Sequence, residues 1–399
     1  MLTPNGGQPV LYENYNGELI DWEDFFKKRD EHIELMKKGF SLHACRDCLW
    51  IKNAKWDERK KEFRYILLNV WTKCNLFCIY CSNHKDENVL KNTKEYNLIP
   101  VIKDMIDKGV VNENTKFDIA GGESTLDPHF NDLLALLIDN GIKNININTN
   151  ALIYSESIKR GIEKGFVSII SSIDSGNPKK FEFIKKRNVW NQVWENIEKY
   201  SAAVDHESKK NENYINNNVN KTNIENKEEN SKNEIRCNIN NKNTNEEDIN
   251  LKNGQNVNNE NKNTVRTKFI IIPKINDTKS EIKQFVLRSR KANVSGVILN
   301  IDLHWLRQNF DDEKTMLHII ELTKYFIDFS AKRKVDYQVW AHIEDLIKRY
   351  NKLRPEKSVD INFIFNKNEI KKSLFEDLLH HFSFNKTSKK LPVNAKDKT

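Results

Sequence analysis

The chain has 399 residues, 38% of them hydrophobic, and its 20 Phe, 11 Tyr and 8 Trp supply a sizeable core, which excludes a wholly disordered polymer. Half of the formal net charge of +8 sits on the last fourteen residues, with five Lys against one Asp. The rest is too diluted for the basic stripe of a nucleic-acid binder, so no direct nucleic-acid partner is expected.

The opening MLTPNGGQPV carries no apolar stretch, and aliphatic runs elsewhere stay as short as 269–272. Neither a signal peptide nor a membrane span is expected. Residues 21–38 place Trp22, Phe25, Phe26, Ile33, Leu35 and Met36 at helical spacing behind Asp21, an N-cap. Five of the six cysteines crowd into positions 45–81, which reads as metal chemistry in a reducing cytoplasm rather than a disulfide scaffold. From there, short β-branched or apolar runs recur at 65–71, 116–120, 144–149, 167–173, 267–272 and 296–302. Helical spacing fills 128–140, 154–164, 179–200 and 279–291. Beyond the last run, 313–332, 337–352 and 367–381 read as helices, with His380 and His381 on a surface.

One segment interrupts the rhythm. Residues 205–264 hold 22 Asn, a single aromatic (Tyr214), one Gly and no Pro, too little apolar surface to offset the entropy of ordering. It reads as a disordered insertion, with Cys237 incidental. A long insertion adds little loop-closure cost. Without it, six strands share about 30 residues each, the size of a βα repeat, where a closed eight-fold barrel takes about 250 residues. The expectation is an α/β chain: a partial (β/α)6 TIM-like open barrel with the Asn-rich insertion and small flanking α segments. A doubly wound sheet is the rival. The divisions are 1–62, an extension with Cys45 and Cys48; 63–204 and 265–335, the core around the insertion 205–264; 336–384, a helical extension; and 385–399, a basic tail.

The chemistry concentrates at Cys74-Asn75-Leu76-Phe77-Cys78-Ile79-Tyr80-Cys81, directly after the first strand. In βα barrels, catalytic groups gather at the carboxyl ends of strands. A cubane iron–sulfur cluster normally takes four cysteines; three leave one iron with an open position, as a catalytic metal keeps a site for substrate. Asp118-Ile119-Ala120-Gly121-Gly122-Glu123-Ser124 follows the second strand, with two glycines that allow close backbone approach and a carboxylate acceptor.

The C-x3-C-x2-C spacing, with Tyr80 before the last cysteine, resembles the radical S-adenosylmethionine enzymes. The resemblance covers roughly 65–302 without the insertion. It implies that Cys74, Cys78 and Cys81 ligate a [4Fe–4S] cluster whose fourth iron chelates S-adenosylmethionine. One electron then yields a 5′-deoxyadenosyl radical that abstracts a substrate hydrogen; the radical chemistry belongs to the cofactor. Gly121-Gly122-Glu123 is similar to the family's motif for the methionyl amino group, with Ser124 where proline is usual. The family's use of strand ends brings in Asn148, Ser172 and Asp174, and Lys268 on the fifth strand as a candidate for the cofactor's carboxylate. Tyr80 joins the cofactor-binding set. No catalytic residue is assigned. The implied partners are an unidentified small-molecule, saccharide or peptide substrate and a one-electron donor such as flavodoxin or ferredoxin. The N-terminal segment and C-terminal helices are candidates for a cover over the mouth. Two alternatives stay open. One is a protein resembling the activases of glycyl-radical enzymes, whose Asp-x-Lys pattern at the fourth strand is absent here. The other is a zinc-ribbon module using Cys45, Cys48, Cys78 and Cys81. The first cysteine pair has no settled role.

Overall fold

The computed structural model describes residues 19–38, 60–71, 73–81, 97–204, 264–309 and 312–361. The first cysteine pair, the insertion up to residue 263, the helix expected at 367–381 and the basic tail lie outside the described residues.

Seven strands form one parallel sheet: β1 (Tyr65–Trp71), β2 (Lys116–Gly121), β3 (Asn144–Asn148), β4 (Val167–Ser172), β5 (Val265–Ile271), β6 (Gly296–Ile301) and β7 (Tyr337–Val339). They lie side by side in chain order, with β1 and β7 as the two edges. A doubly wound sheet reverses its strand order at a switch point. Among the described residues none occurs, and a parallel sheet wound in one direction whose first and last strands do not pair with each other is an open barrel. Six strands match the expectation, and a short seventh extends it. The reading of 337–352 as one helix is corrected: Tyr337–Val339 pairs with β6, and only Ala341–Leu353 is helical. Tyr-Gln-Val has the alternation of a strand, and the free edge of β6 made it one. The core sheet therefore runs past residue 335.

Helices occupy the connections: α1 (Trp22–Lys37), α2 (Ile99–Asp107), α3 (Phe130–Asp139), α4 (Glu156–Glu163), α5 (Pro178–Lys185), α6 (190–204), α7 (Lys279–Lys291), α8 (Leu303–Gln308), α9 (Glu313–Lys332) and α10 (Ala341–Leu353). The stretch expected as one helix over 179–200 is two. Lys186, at φ +58°, closes α5 in the left-handed conformation, and the chain restarts four residues later. Such a cap satisfies the last carbonyls of a helix; Lys186 N–H donates to the Glu182 carbonyl.

Period-two alternation decides which side chains reach the barrel interior. In β3, Ile145 and Ile147 are buried under the helices while Asn144, Asn146 and Asn148 take the other face. In β5, Val265, Thr267, Phe269 and Ile271 go to the core, and Arg266, Lys268 and Ile270 go inward. The interior wall is accordingly polar. Asp118 accepts from Tyr65 Oη at 2.6 Å and from Asn146 Nδ2 at 2.7 Å.

Asp21 caps α1 as expected, accepting from the backbone of Glu23 and Asp24. The position of α1 differs from that of a cover. Trp22, Phe25 and Phe26 pack on Phe63, just before the amino end of β1, and Trp22 Nε1 donates to Asp104 of α2 at 2.7 Å. Its aromatic stripe binds it to the end of the barrel opposite the cysteine loop.

Candidate active site

The carboxyl ends of the strands carry a distinctive backbone. Left-handed φ values occur at Gly121 (126°), Ala151 (57°), Asp174 (60°) and Lys274 (66°), in the turns that leave β2, β3, β4 and β5. The other positive-φ residues follow helices, where such caps are ordinary. Left-handed non-glycine residues away from caps are strained and tend to mark functional sites.

The cysteine loop leaves β1 at this face and is tied down on two sides. Toward β2, Glu123 N–H donates to the Lys73 carbonyl at 2.8 Å. Toward α5, Phe77 N–H donates to Lys185 O and Ile79 N–H to Ile184 O, while Arg187 Nη1 donates to Asn75 O at 2.9 Å. Cys74, Cys78 and Cys81 are all free thiols, partly exposed. Cys74 Sγ accepts from Leu76 N at 3.5 Å and from Asn150 Nδ2 at 3.7 Å. Burial pushes the Cys74 and Cys78 thiols up, and for Cys78 the nearby Lys185 charge pulls the other way.

Beneath the loop lies a buried polar hub. Asp174 is fully buried and Lys185 nearly so. Lys185 Nζ donates to Asp174 Oδ2 at 2.5 Å and to Tyr80 Oη at 3.0 Å, and Tyr80 Oη donates to the same carboxylate oxygen at 2.5 Å. The other oxygen, Oδ1, accepts from Ile270 N at 2.8 Å. Asn276 completes it, donating to the carbonyls of Asp174 and Ile270 at 2.8 Å each. Burial opposes the charge on Lys185, but Asp174 and Cys78 outweigh it and hold the ammonium above its ordinary value. Burial likewise raises the Tyr80 phenol, so it stays a donor.

This geometry separates the expected residues into two groups. Asp174 and Tyr80 face each other: the carboxylate is occupied within the chain, and the hydroxyl is turned into the hub. The Glu123 carboxylate is also fully buried. It accepts from Thr125 Oγ1 at 2.7 Å, Thr149 Oγ1 at 2.8 Å and Asn150 N at 2.6 Å. Burial raises its pKa, and these hydrogen bonds hold it back. Glu123 thus clamps the end of β2 to the end of β3, with Oε2 engaged, among the described residues, by Asn150 N alone. The second group stays open: Gly121 is exposed, and Gly122, Asn148 and Ser172 are partly so. Among the described residues, no side-chain hydrogen bond engages Asn148 or Ser172. Lys268 is the register partner of Ser172. Its Nζ lies 4.7 Å from the ring centre of Trp340, beside β7.

The donor set decides what this loop can bind. Three soft thiols on one loop suit iron–sulfur ligation rather than a hard cation. Among the described residues, no three His, Cys, Asp or Glu side chains converge on a single-ion site. A cubane does not require that, since each thiolate binds a different iron. The residues fit the cluster. Sequence reading missed Lys185 and Arg187, because basic residues in the run 185–187 carry no local signal. No described helix is long and apolar enough to cross a membrane.

Residues 68–220 match the family model of the Radical SAM superfamily. A GTP 3′,8-cyclase of Vibrio parahaemolyticus is 27% identical over 144 residues, covering 36% of this chain and 43% of that protein. Molybdenum cofactor biosynthesis protein 1 of Mus musculus is 28% identical over 149 residues, covering 36% of this chain and 22% of its own. The chain thus spans less than half the length of these curated relatives. Among solved structures, Streptococcus suis SuiB bound to S-adenosylmethionine aligns at a TM-score of 0.46 with 12% identity, covering 88% of this chain and 60% of SuiB.

Proposed function

We propose that the chain is a radical SAM enzyme through residues 68–220, which match that family's model, a family that uses a [4Fe–4S] cluster and S-adenosylmethionine, with the following division of labour. Cys74, Cys78 and Cys81 hold the cluster. Gly121, Gly122, Asn148 and Ser172 receive S-adenosylmethionine above the strand ends, and the polar barrel interior receives the substrate. When bound and reduced, these groups supply cleavage of the sulfonium and hydrogen abstraction from a small-molecule, saccharide or peptide substrate.

The chain's own residues position these groups. The Lys185–Asp174–Tyr80 hub fixes the second half of the cysteine loop and places a positive charge beside Cys78. That charge favours the thiolate over the thiol, which the loop must release protons to form. Glu123 sets the spacing of the β2 and β3 ends, keeping the glycine turn against Lys73. Gly121, with an exposed backbone and positive φ, lets a ligand approach the main chain where a Cβ would be strained. Tyr80 contributes through its hydroxyl to the hub, and Asp174 through both oxygens. Both are positioning residues in this reading. Lys268, turned toward β7, is assigned to the substrate side below. The electron comes from an external flavodoxin- or ferredoxin-type donor, in an oxygen-poor cytoplasm that keeps these thiols free.

The observation that carries the proposal is three free thiols on the loop after β1, anchored to the mouth of an open parallel barrel beside the glycine turn. Anaerobically reconstituted protein should bind about four irons, as a cubane requires. With dithionite and S-adenosylmethionine it should release 5′-deoxyadenosine. Cys74→Ala, Cys78→Ala and Cys81→Ala should each abolish that release; full release by any one of them removes that cysteine from the ligand set.

A further inference from the structure

The inner face of β5 carries two cations. Arg266 and Lys268 are two residues apart, so both leave the same side of the strand, about 7 Å apart along it at strand rise. Both are partly exposed, although they sit inside the barrel wall. Among the described residues, neither forms an ion pair. The single hydrogen bond of Arg266 runs from Nη1 to Gln338 Oε1 at 3.2 Å. Four of its five N–H donors are left over. Lys268 rests on the Trp340 ring. The Asp174 carboxylate, the acid that acts on Lys268, is already taken by Lys185, Tyr80 and Ile270.

The Asp336 carboxylate acts on Arg266 without forming an ion pair with it, Arg307 adds positive charge beside His342, and the other neighbours are uncharged. Gly296 is the register partner of Arg266, and Ile298 lies between Lys268 and Gln338. Asn300, next on the inner face of β6, meets His342 at the start of α10, Nδ1 to Oδ1 at 3.1 Å. Burial pushes His342 down, with Arg307 and Lys268 acting in the same direction, so it is a neutral hydrogen-bonding group there. Burial also pushes Lys268 down to about 8 and lowers Arg266. Charges held in a protein wall without a counter-ion are costly. They are retained where a ligand supplies the missing charge, and the planar fork of arginine matches phosphate or carboxylate oxygens.

We propose that Arg266 and Lys268, with the Asn300–His342 pair beside them, form a subsite for an oxyanion group of the substrate, a phosphate or a carboxylate. The subsite deepens the reading of the barrel interior as the substrate chamber and rests on it. It lies on β5 to β7, with Lys268 over the Trp340 ring and next to Ser172 in register, so the test below separates it from the cofactor's groups.

The test titrates the full-length reconstituted protein calorimetrically with inorganic pyrophosphate and, separately, with succinate, at low and high salt. At least one should bind, and binding should weaken with salt and persist at saturating S-adenosylmethionine. Arg266→Gln and Lys268→Gln should each weaken it about tenfold or more, while the iron content stays at that of the unaltered protein. Pyrophosphate alone binding marks a phosphate, succinate alone a carboxylate. Loss of binding at saturating S-adenosylmethionine would hand the two cations to the cofactor's carboxylate and overturn the proposal. So would binding of neither anion, or binding that both substitutions leave unchanged. Should Arg266→Gln fail to fold, Lys268→Gln decides alone. If the protein takes up no iron yet still binds pyrophosphate through these residues, the cluster reading falls and the oxyanion subsite stands.

Discussion

Lys185 shows how much one side chain can organise. It is 1% exposed, and its ammonium is the counter-charge for Asp174, whose two oxygens hold Tyr80 and the β5 backbone. Removing one member of a buried pair strands the other. Lys185→Met should therefore lower the unfolding free energy by about 3–5 kcal/mol, and Lys185→Met/Asp174→Asn should recover much of that loss. Urea unfolding reads both; a loss under about 1 kcal/mol in the single variant contradicts the hub. Lys268 gives a different prediction. Its folded pKa is pushed down to about 8, by burial foremost, while an unfolded lysine titrates near 10.4. Between those values the unfolded chain holds a proton that the folded chain has released, so stability rises with pH across that window. Below about 8, both states are charged and the folded state carries the full burial penalty. Relative to Lys268→Met, the unaltered protein should gain stability from pH 8 to pH 10; a difference independent of pH contradicts the assignment.

Elements are held in register by close packing as much as by hydrogen bonds. Gly161 in α4 lies so near β4 that a Cβ there would sit 2.3 Å from Val167 Cγ2 and 2.9 Å from its Cβ. Alanine in a helix is intrinsically better than glycine by about 1 kcal/mol. Here overpacking should win, and Gly161→Ala should destabilise by about 1–3 kcal/mol. Gly161→Ala/Val167→Ala should restore part of it by removing the obstructing methyls. A thermal melt of the two variants checks this, and a Gly161→Ala protein more stable than the unaltered one would show that α4 is free to shift. The turn into α5 is fixed in the same manner: Glu281 of α7 accepts from Gly176 N at 2.8 Å and also holds Ser175 and Asn177. In this way α7 positions the start of α5, and the far end of α5 positions the cysteine loop.

For the whole molecule, the sheet runs on in register across the span between α6 and β5. Helix α6 is described to residue 204, and β5 begins at Val265 with register to both β4 and β6. We propose that the intervening segment is an insertion without a part in the fold. Replacing 206–262 with a short Gly-Ser linker should leave the melting temperature within a few degrees and the iron content unchanged, because loop closure depends weakly on length. An insoluble or iron-free product contradicts this.

The chain order of strands and helices was legible because alternation and helical spacing are local properties: 65–71, 279–291 and 313–332 coincide with β1, α7 and α9. The cysteine loop and glycine turn were legible because their residues are contiguous. Other features could not be read along the chain. Tyr337–Val339 became a strand because β6 offered an edge. Glu123 and Asp174, read as groups for a ligand, also hold partners as far as 26 residues away and 11 residues away respectively. Lys185, in a run of basic residues, became the buried centre of the site. Arg266 and Lys268 acquired meaning as charges on one inner face that, among the described residues, form no ion pair. The sequence by itself determined which residue types stand at each strand's end; the tertiary structure alone decided which of them have partners, because burial and charge compensation depend on what the rest of the fold brings within a few ångströms.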